Sequence, residues 1–265
     1  MFLVEKIYLR ILELIIKKKL KAILVIEEIY VRICGKLFRN SPLDIHYRRA
    51  GMYFQSKKAI NPAQGKYFEE LPKVFVIGHH KTGTYSISKL FKNNGYKSFH
   101  CEQGRLAKKI IENFQNCHSL LYEIEDVHLY SDIEFVGNLY AYTLFPLLDL
   151  QYPGSYFIYN FRNIDNWIKS RIKHDNGLYA KECLRILKSY YPSIKSEDLL
   201  IKHWKNFYIM HENSVKKYFA NKDNLIQVDL DSQKSKENLC KKLKEIGFSL
   251  KEDSLPRDNI TLTKK

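Results

Sequence analysis

Four consecutive apolar residues, Val74-Phe75-Val76-Ile77, lead directly into Gly78-His79-His80-Lys81-Thr82-Gly83-Thr84, after which Ile87, Leu90 and Phe91 recur at helical spacing. A short unbroken apolar run suits a strand buried on both faces, as in a parallel sheet. Two glycines let the backbone curl tightly, and the helix that follows turns its positive N-terminal end toward the same turn. The chain therefore carries a strand–loop–helix unit whose loop is equipped to hold an anion.

The alternation continues along the chain. Tyr96–His100 is expected as a second strand and Ser119–Ile124 as a third. Between them Leu106, Ala107, Ile110, Ile111 and Phe114 form a helical stripe. A helix is expected over Asn138–Leu150, ending at Tyr152-Pro153-Gly154, then a fourth strand over Tyr156–Phe161. Ile164, Trp167, Ile168 and Ile172 mark the next helix, and Ser196–Phe219 a long one. Asn224–Asp229 reads as a fifth strand, and Leu239, Leu243 and Ile246 lie on a last helix stopped by Gly247. Strands and helices in this order give an α/β domain, a central parallel sheet flanked by helices. We place it over residues 71–265, with residues 1–70 as a basic helical extension and linker.

The 265 residues carry 44 Lys and Arg against 29 Asp and Glu, a net charge of +15. Residues 1–60 hold 13 of the basic and 5 of the acidic residues, so +8 of that charge lies there. Charge of this sign favours anionic partners. Residues 1–40 are a candidate for peripheral contact with an anionic membrane, the alternative being a helical extension packed on the domain. Glu5, Lys6, Arg10, Glu13 and Lys17 to Lys19 interrupt the apolar N-terminus too often for a membrane span or a secretion signal. Charge alone, without a nucleic-acid-binding motif, gives no reason to expect a nucleic-acid partner. Five cysteines, none in a CxxC pair, point to a reducing, cytoplasmic setting, with membrane association left open.

The loop differs from the usual nucleotide-triphosphatase pattern GxxxxGK[ST], because Lys81 precedes the second glycine. That order disfavours the alternative of a P-loop nucleotide kinase. His80-Lys81-Thr82-Gly83-Thr84 instead resembles the 5′-phosphosulfate loop of sulfotransferases that use 3′-phosphoadenosine 5′-phosphosulfate (PAPS). Those enzymes bind the 3′-phosphate with an Arg ending a later strand and a Ser eight residues on. Here Arg162 ends the fourth strand and Ser170 follows at that spacing, with Trp167 between them. Tyr130-Ser131-Asp132-Ile133-Glu134-Phe135 is similar to a Ser-Asp-x-Pro-Phe stretch of one subgroup, Glu134 replacing the proline. Ser86 stands where some members have a tryptophan.

The resemblance implies transfer of a sulfuryl group from PAPS to a hydroxyl or amine on a glycan, lipid or small molecule. It implies donor binding by Lys81, Thr82, Gly83, Thr84, Tyr85, Ser86, Arg162 and Ser170. Lys81 would also neutralise charge on the oxygen left behind. A hydroxyl acceptor needs a base, and Asp132, His128 and His100 are the candidates. No metal is expected, since no His, Asp or Glu group has metal-ligand spacing. A non-catalytic protein that binds anions or a membrane surface is the alternative from outside enzymology.

Overall fold

The computed structural model describes residues 60, 62–134 and 140–256. The chain divides into two compact units, 1–59 and 60–265, and every described residue belongs to the second. The expected helices and membrane contact at 1–40 fall outside the described residues, while residues 60 and 62–70 of the expected linker are described within the second unit.

Five parallel strands form one sheet in the order β2-β3-β1-β4-β5: β1 (Val74–Val76), β2 (Ser98–His100), β3 (Leu129–Ser131), β4 (Tyr156–Phe161) and β5 (Leu225–Asp229). β1 is central, pairing Val74 with Leu129 of β3 on one side and with Tyr156 of β4 on the other. Period-two alternation divides its side chains between two cores. Val74 and Val76 pack with Ile87, Leu90 and Phe91 of helix α1 (Thr84–Asn93), under helix α7 (Gln233–Glu245). Phe75 and Ile77 face the opposite way, toward α2 (Arg105–Gln115), α3 (Phe145–Gln151) and Val215 and Phe219 near the end of α6 (Glu197–Tyr218). This double covering is why β1 reads as an unbroken apolar run.

A third cluster joins α4 (Ile164–Lys173), α5 (Leu178–Tyr190) and α6 through Trp167, Cys183, Leu187, Leu200 and Trp204. It leans over the carboxyl ends of the strands, where ligands of parallel sheets bind. Among the described residues no helix is long and apolar enough to cross a membrane.

One expected strand is corrected. Ser119–Ile124 is a turn, and the third strand is Leu129–Ser131. Leu120 and Leu121 are buried as a strand would require, but their N–H groups donate to Gln151 Oε1 and Tyr152 Oη. The Ile124 N–H donates to the Leu121 carbonyl. Burial here comes without sheet pairing. The structure also adds α5, which the sequence reading leaves out; of the helix expected over Asn138–Leu150, residues 138 and 139 lie outside the described residues and the described part has a 3-10 turn at Ala141–Leu144 before α3.

Candidate active site

Gly78 starts the loop where the carboxyl end of β1 meets β4. A β-carbon there would lie 2.1 Å from the Asn160 carbonyl oxygen, so only glycine fits. Asn160, fully buried in β4, ties the loop together from below. Its Oδ1 accepts from the Gly78 N–H at 3.1 Å, and its Nδ2 donates to the Thr82 carbonyl at 2.7 Å and hydroxyl at 2.8 Å. Thr82 also directs its hydroxyl and its N–H at the His79 carbonyl. Thr82 thus uses its donors inside the loop and shapes the turn. From above, Trp167 of α4 donates its indole N–H to the His80 carbonyl at 2.8 Å.

At the exit of the loop Gly83 takes φ +83° as the N-cap of α1, with no side-chain cap and no acidic residue in the first turn. The first N–H groups of α1, from Thr84, Tyr85 and Ser86, have no intrahelical acceptor, and the helix dipole adds positive potential there. Lys81 sits in the left-handed region at φ 71°, which costs a non-glycine residue about 1–2 kcal/mol. Its ammonium is half-buried and lies 3.5 Å from Nδ1 of His174, at the end of α4. Burial lowers the Lys81 pKa, partly offset by Asp132. Burial, with His80 and Lys81 nearby, pushes the His174 imidazole down to about 4, so it is neutral and accepts from the lysine.

Asp132 follows β3 directly and is 4% exposed. Its two oxygens lie 3.1 and 3.2 Å from His80 Nδ1, and Oδ2 is 3.8 Å from His100 Nε2. Burial opposes its charge, but these imidazoles bring the net shift of the carboxyl below its ordinary value. His100, depressed by burial, ends β2 with Nδ1 3.0 Å from Ser131 Oγ, and Tyr85 packs edge-on against its ring. Two residues on, Glu134 accepts the His80 N–H at 2.8 Å and pairs with Arg171 of α4 at 2.7 Å. Both members of this pair are buried. The guanidinium lies 4.4 Å from the Trp204 ring centre and 4.9 Å from that of Trp167.

Arg162 leaves the carboxyl end of β4, beside the loop that leaves β1. Its guanidinium pairs with Asp231 at 3.2 Å. Asp231 also accepts the Asn163 N–H at 3.0 Å, and Asn163 caps α4. Ser170 is partly exposed on α4, three residues after Trp167 and four before His174, both of which touch the loop. Residues at those spacings share a helix face.

A family model described as a sulfotransferase domain matches residues 73–259. The chain belongs to the sulfotransferase family. No curated protein matches it as a relative. The α/β sheet with its flanking helices is the fold expected from the resemblance, and transfer of a sulfuryl group is the activity of the family.

The structure of this sulfotransferase gathers Lys81, Thr82, Gly83, Thr84, Tyr85, Ser86, Asp132 and His100 around the carboxyl ends of β1, β2 and β3, with Arg162 at that of β4. It does not bring His128 there. His128 precedes β3 at the amino end of the sheet, where its carbonyl accepts the Val74 N–H. Its Nε2 accepts the Phe68 N–H at 3.0 Å, and its ring packs among Tyr67, Phe68, Tyr96 and Phe248. It supports the fold at a distance from the loop.

Sequence reasoning missed Asn160, Glu134, Arg171 and His174. A signal was present for two of them. Glu134 stands where the resembling stretch has proline, and Arg171 follows Ser170 directly. Each is a charged residue in an otherwise buried context, and a buried charge needs a partner.

Proposed function

We propose that this sulfotransferase takes its sulfuryl group from PAPS and passes it to a hydroxyl or amine acceptor on a glycan, lipid or small molecule. The observation carrying this reading is the placement of two basic elements at the carboxyl ends of adjacent central strands. The Lys81 loop follows β1 and Arg162 ends β4, with Ser170 further along α4. The residues fit the group. The uncapped, acid-free start of α1 leaves N–H groups open to a 5′-phosphosulfate, and Lys81 stands beside them. Arg162 and Ser170 would hold the 3′-phosphate, the guanidinium exchanging Asp231 for the ligand.

When bound, PAPS supplies the transferred group and the phosphate that departs. Lys81 holds a positive charge next to the oxygen that separates from sulfur. The loop N–H groups fix the phosphate, so positioning and electrostatics supply the catalysis, as in phosphoryl transfer. Asp132, with His80 and His100, forms the acid–base cluster beside the loop that receives the acceptor's proton.

Thermal shift with the product nucleotide, 3′-phosphoadenosine 5′-phosphate (PAP), tests the donor. At a hundred times its dissociation constant a ligand adds about 2.7 kcal/mol. For a domain of this size that is a rise of roughly 5–10 °C. PAP is expected to produce it and ADP, lacking the 3′-phosphate, to fall well short. Equal shifts with both would remove the 3′-phosphate from the reading.

A further inference from the structure

Resting on the sulfuryl-transfer reading above, we infer that His80, held by Asp132, is the group that takes the acceptor's proton, and that Asp132 acts through it as a positioning residue. Asp132 is almost completely buried, and both of its oxygens face His80 Nδ1 at 3.1 and 3.2 Å. A carboxylate can only accept, so Nδ1 must carry the hydrogen. That leaves Nε2 of the neutral ring with its lone pair. Nε2 has no hydrogen-bond partner among the described residues and is screened from water. Buried polar nitrogens are nearly always paired, so an orphan asks for a reason.

His100 and His174 are otherwise engaged, and His79, whose Nε2 is likewise unpaired, lies wholly inside the core. His100 has Nδ1 on Ser131 Oγ and Nε2 facing Asp132. His174 has Nδ1 on the Lys81 ammonium. His79 is wholly buried, 3.0 Å from the Tyr142 hydroxyl. The His80 ring is 20% exposed, stacked on Tyr179 at 5.2 Å and tilted against His174 at 5.0 Å. The imidazole of His80 and the ammonium of Lys81 therefore converge on one neighbour, His174. Proton acceptor and leaving-group cation stand side by side, as transfer between two oxygens needs. Its backbone is held equally firmly, the N–H by Glu134 and the carbonyl by Trp167.

The step balances without a further reactant. The acceptor oxygen forms a bond to sulfur while sulfur's bond to the 5′-phosphate oxygen breaks. That oxygen keeps the electron pair beside Lys81, and the acceptor's proton passes to His80 Nε2. Asp132 faces the resulting imidazolium.

Histidine side-chain ¹⁵N–¹H correlation spectra of the full chain test the arrangement without an acceptor, His80 being assigned by the signal lost in His80→Asn. In the neutral ring the expected tautomer has the proton on Nδ1 and a bare Nε2. Asp132→Asn should release this preference toward the other tautomer. A proton on Nε2 in the unaltered protein overturns the assignment.

His80→Asn keeps a donor for Asp132 and removes the base. It should bind PAP within about twofold of the unaltered chain by calorimetry. PAP release from PAPS, with 4-nitrophenol, N-acetylglucosamine or water as acceptor, should fall by at least ~10²-fold. Added imidazole should restore part of it, which a structural defect would not allow. Turnover near the original rate in His80→Asn overturns the role of His80 alone. Failure of the unaltered chain to bind PAP overturns the donor reading instead, a separate result.

Discussion

Glu134→Gln tests the link between helix α4 and the loop. The native carboxylate accepts from two donors, Arg171 Nη1 at 2.7 Å and the His80 N–H at 2.8 Å. Glutamine has one acceptor oxygen, so its amide N–H₂ must face one of those donors. One hydrogen bond is lost and the buried guanidinium loses its counter-charge. Removing one partner of a buried pair costs about 3–5 kcal/mol. Here Trp204 and Trp167 still face the guanidinium, and a desolvated cation–π contact contributes about 2 kcal/mol. The expected loss therefore lies at the lower end, about 3 kcal/mol, or a melting point lower by roughly 6–12 °C. Urea unfolding followed by tryptophan fluorescence suits the measurement, because the chain's two tryptophans, Trp167 and Trp204, both flank Arg171. Pairing Glu134→Leu with Arg171→Met should recover most of the loss. A single-variant loss below ~1 kcal/mol, or a double variant no better than Glu134→Gln, would show that the pair does not act as described.

Lys81→Ala should leave the melting point nearly unchanged, since the described contact of its side chain is with His174, and lower transfer by at least ~10²-fold; turnover near the original rate would refute its role. Arg162→Ala should weaken PAP far more than ADP, by about 1.5–3 kcal/mol, and Ser170→Ala should do so by less; calorimetry showing equal losses for both nucleotides would count against 3′-phosphate binding. His211 lies 2.7 Å from the Ile77 carbonyl, and burial pushes its pKa down to about 3, so it stays neutral while the unfolded chain takes a proton near 6.5. Its contribution is complete above that value and declines toward pH 3, by about 2 kcal/mol at pH 5. His128 and His174, each at about 4, add in the same direction. The melting point should fall on going from pH 7.5 to 5, and a flat profile would refute this.

The sequence was most legible where one physical demand acted alone. β1 is apolar on both faces because helices cover both, and β4 is buried along most of its length in the same way, whereas β5 at the edge buries Ile226 and Val228 and exposes Gln227. The Lys81 loop was visible because only glycine meets its backbone requirements at Gly78 and Gly83. β3 was misplaced because Leu120, Leu121 and Ile124 are as apolar as a strand but take their hydrogen bonds from turns and from Gln151 and Tyr152. α5 escaped notice because small Ala180 and Cys183 make up much of its buried face, with Leu187. At the site, positions on contiguous segments were legible and long-range partnerships were not. Nothing local to Asn160, 78 residues from Thr82, marks it as the tie that closes the loop. His128 illustrates the converse: its nearness to Asp132 in sequence placed it beside the site, while the intervening strand carries it to the other end of the sheet.

The peptide groups of His80 and Thr82 are gripped from three elements, by Glu134 after β3, Asn160 on β4 and Trp167 on α4. The loop is thereby preorganised: the entropy of ordering it is charged to folding, and little would be left to lose when the anion proposed for it arrives. Affinity for that anion is then a property of the whole domain. Substitutions in α4 that never approach the ligand will read as weaker binding, and the residues gripping the loop can vary only as a set.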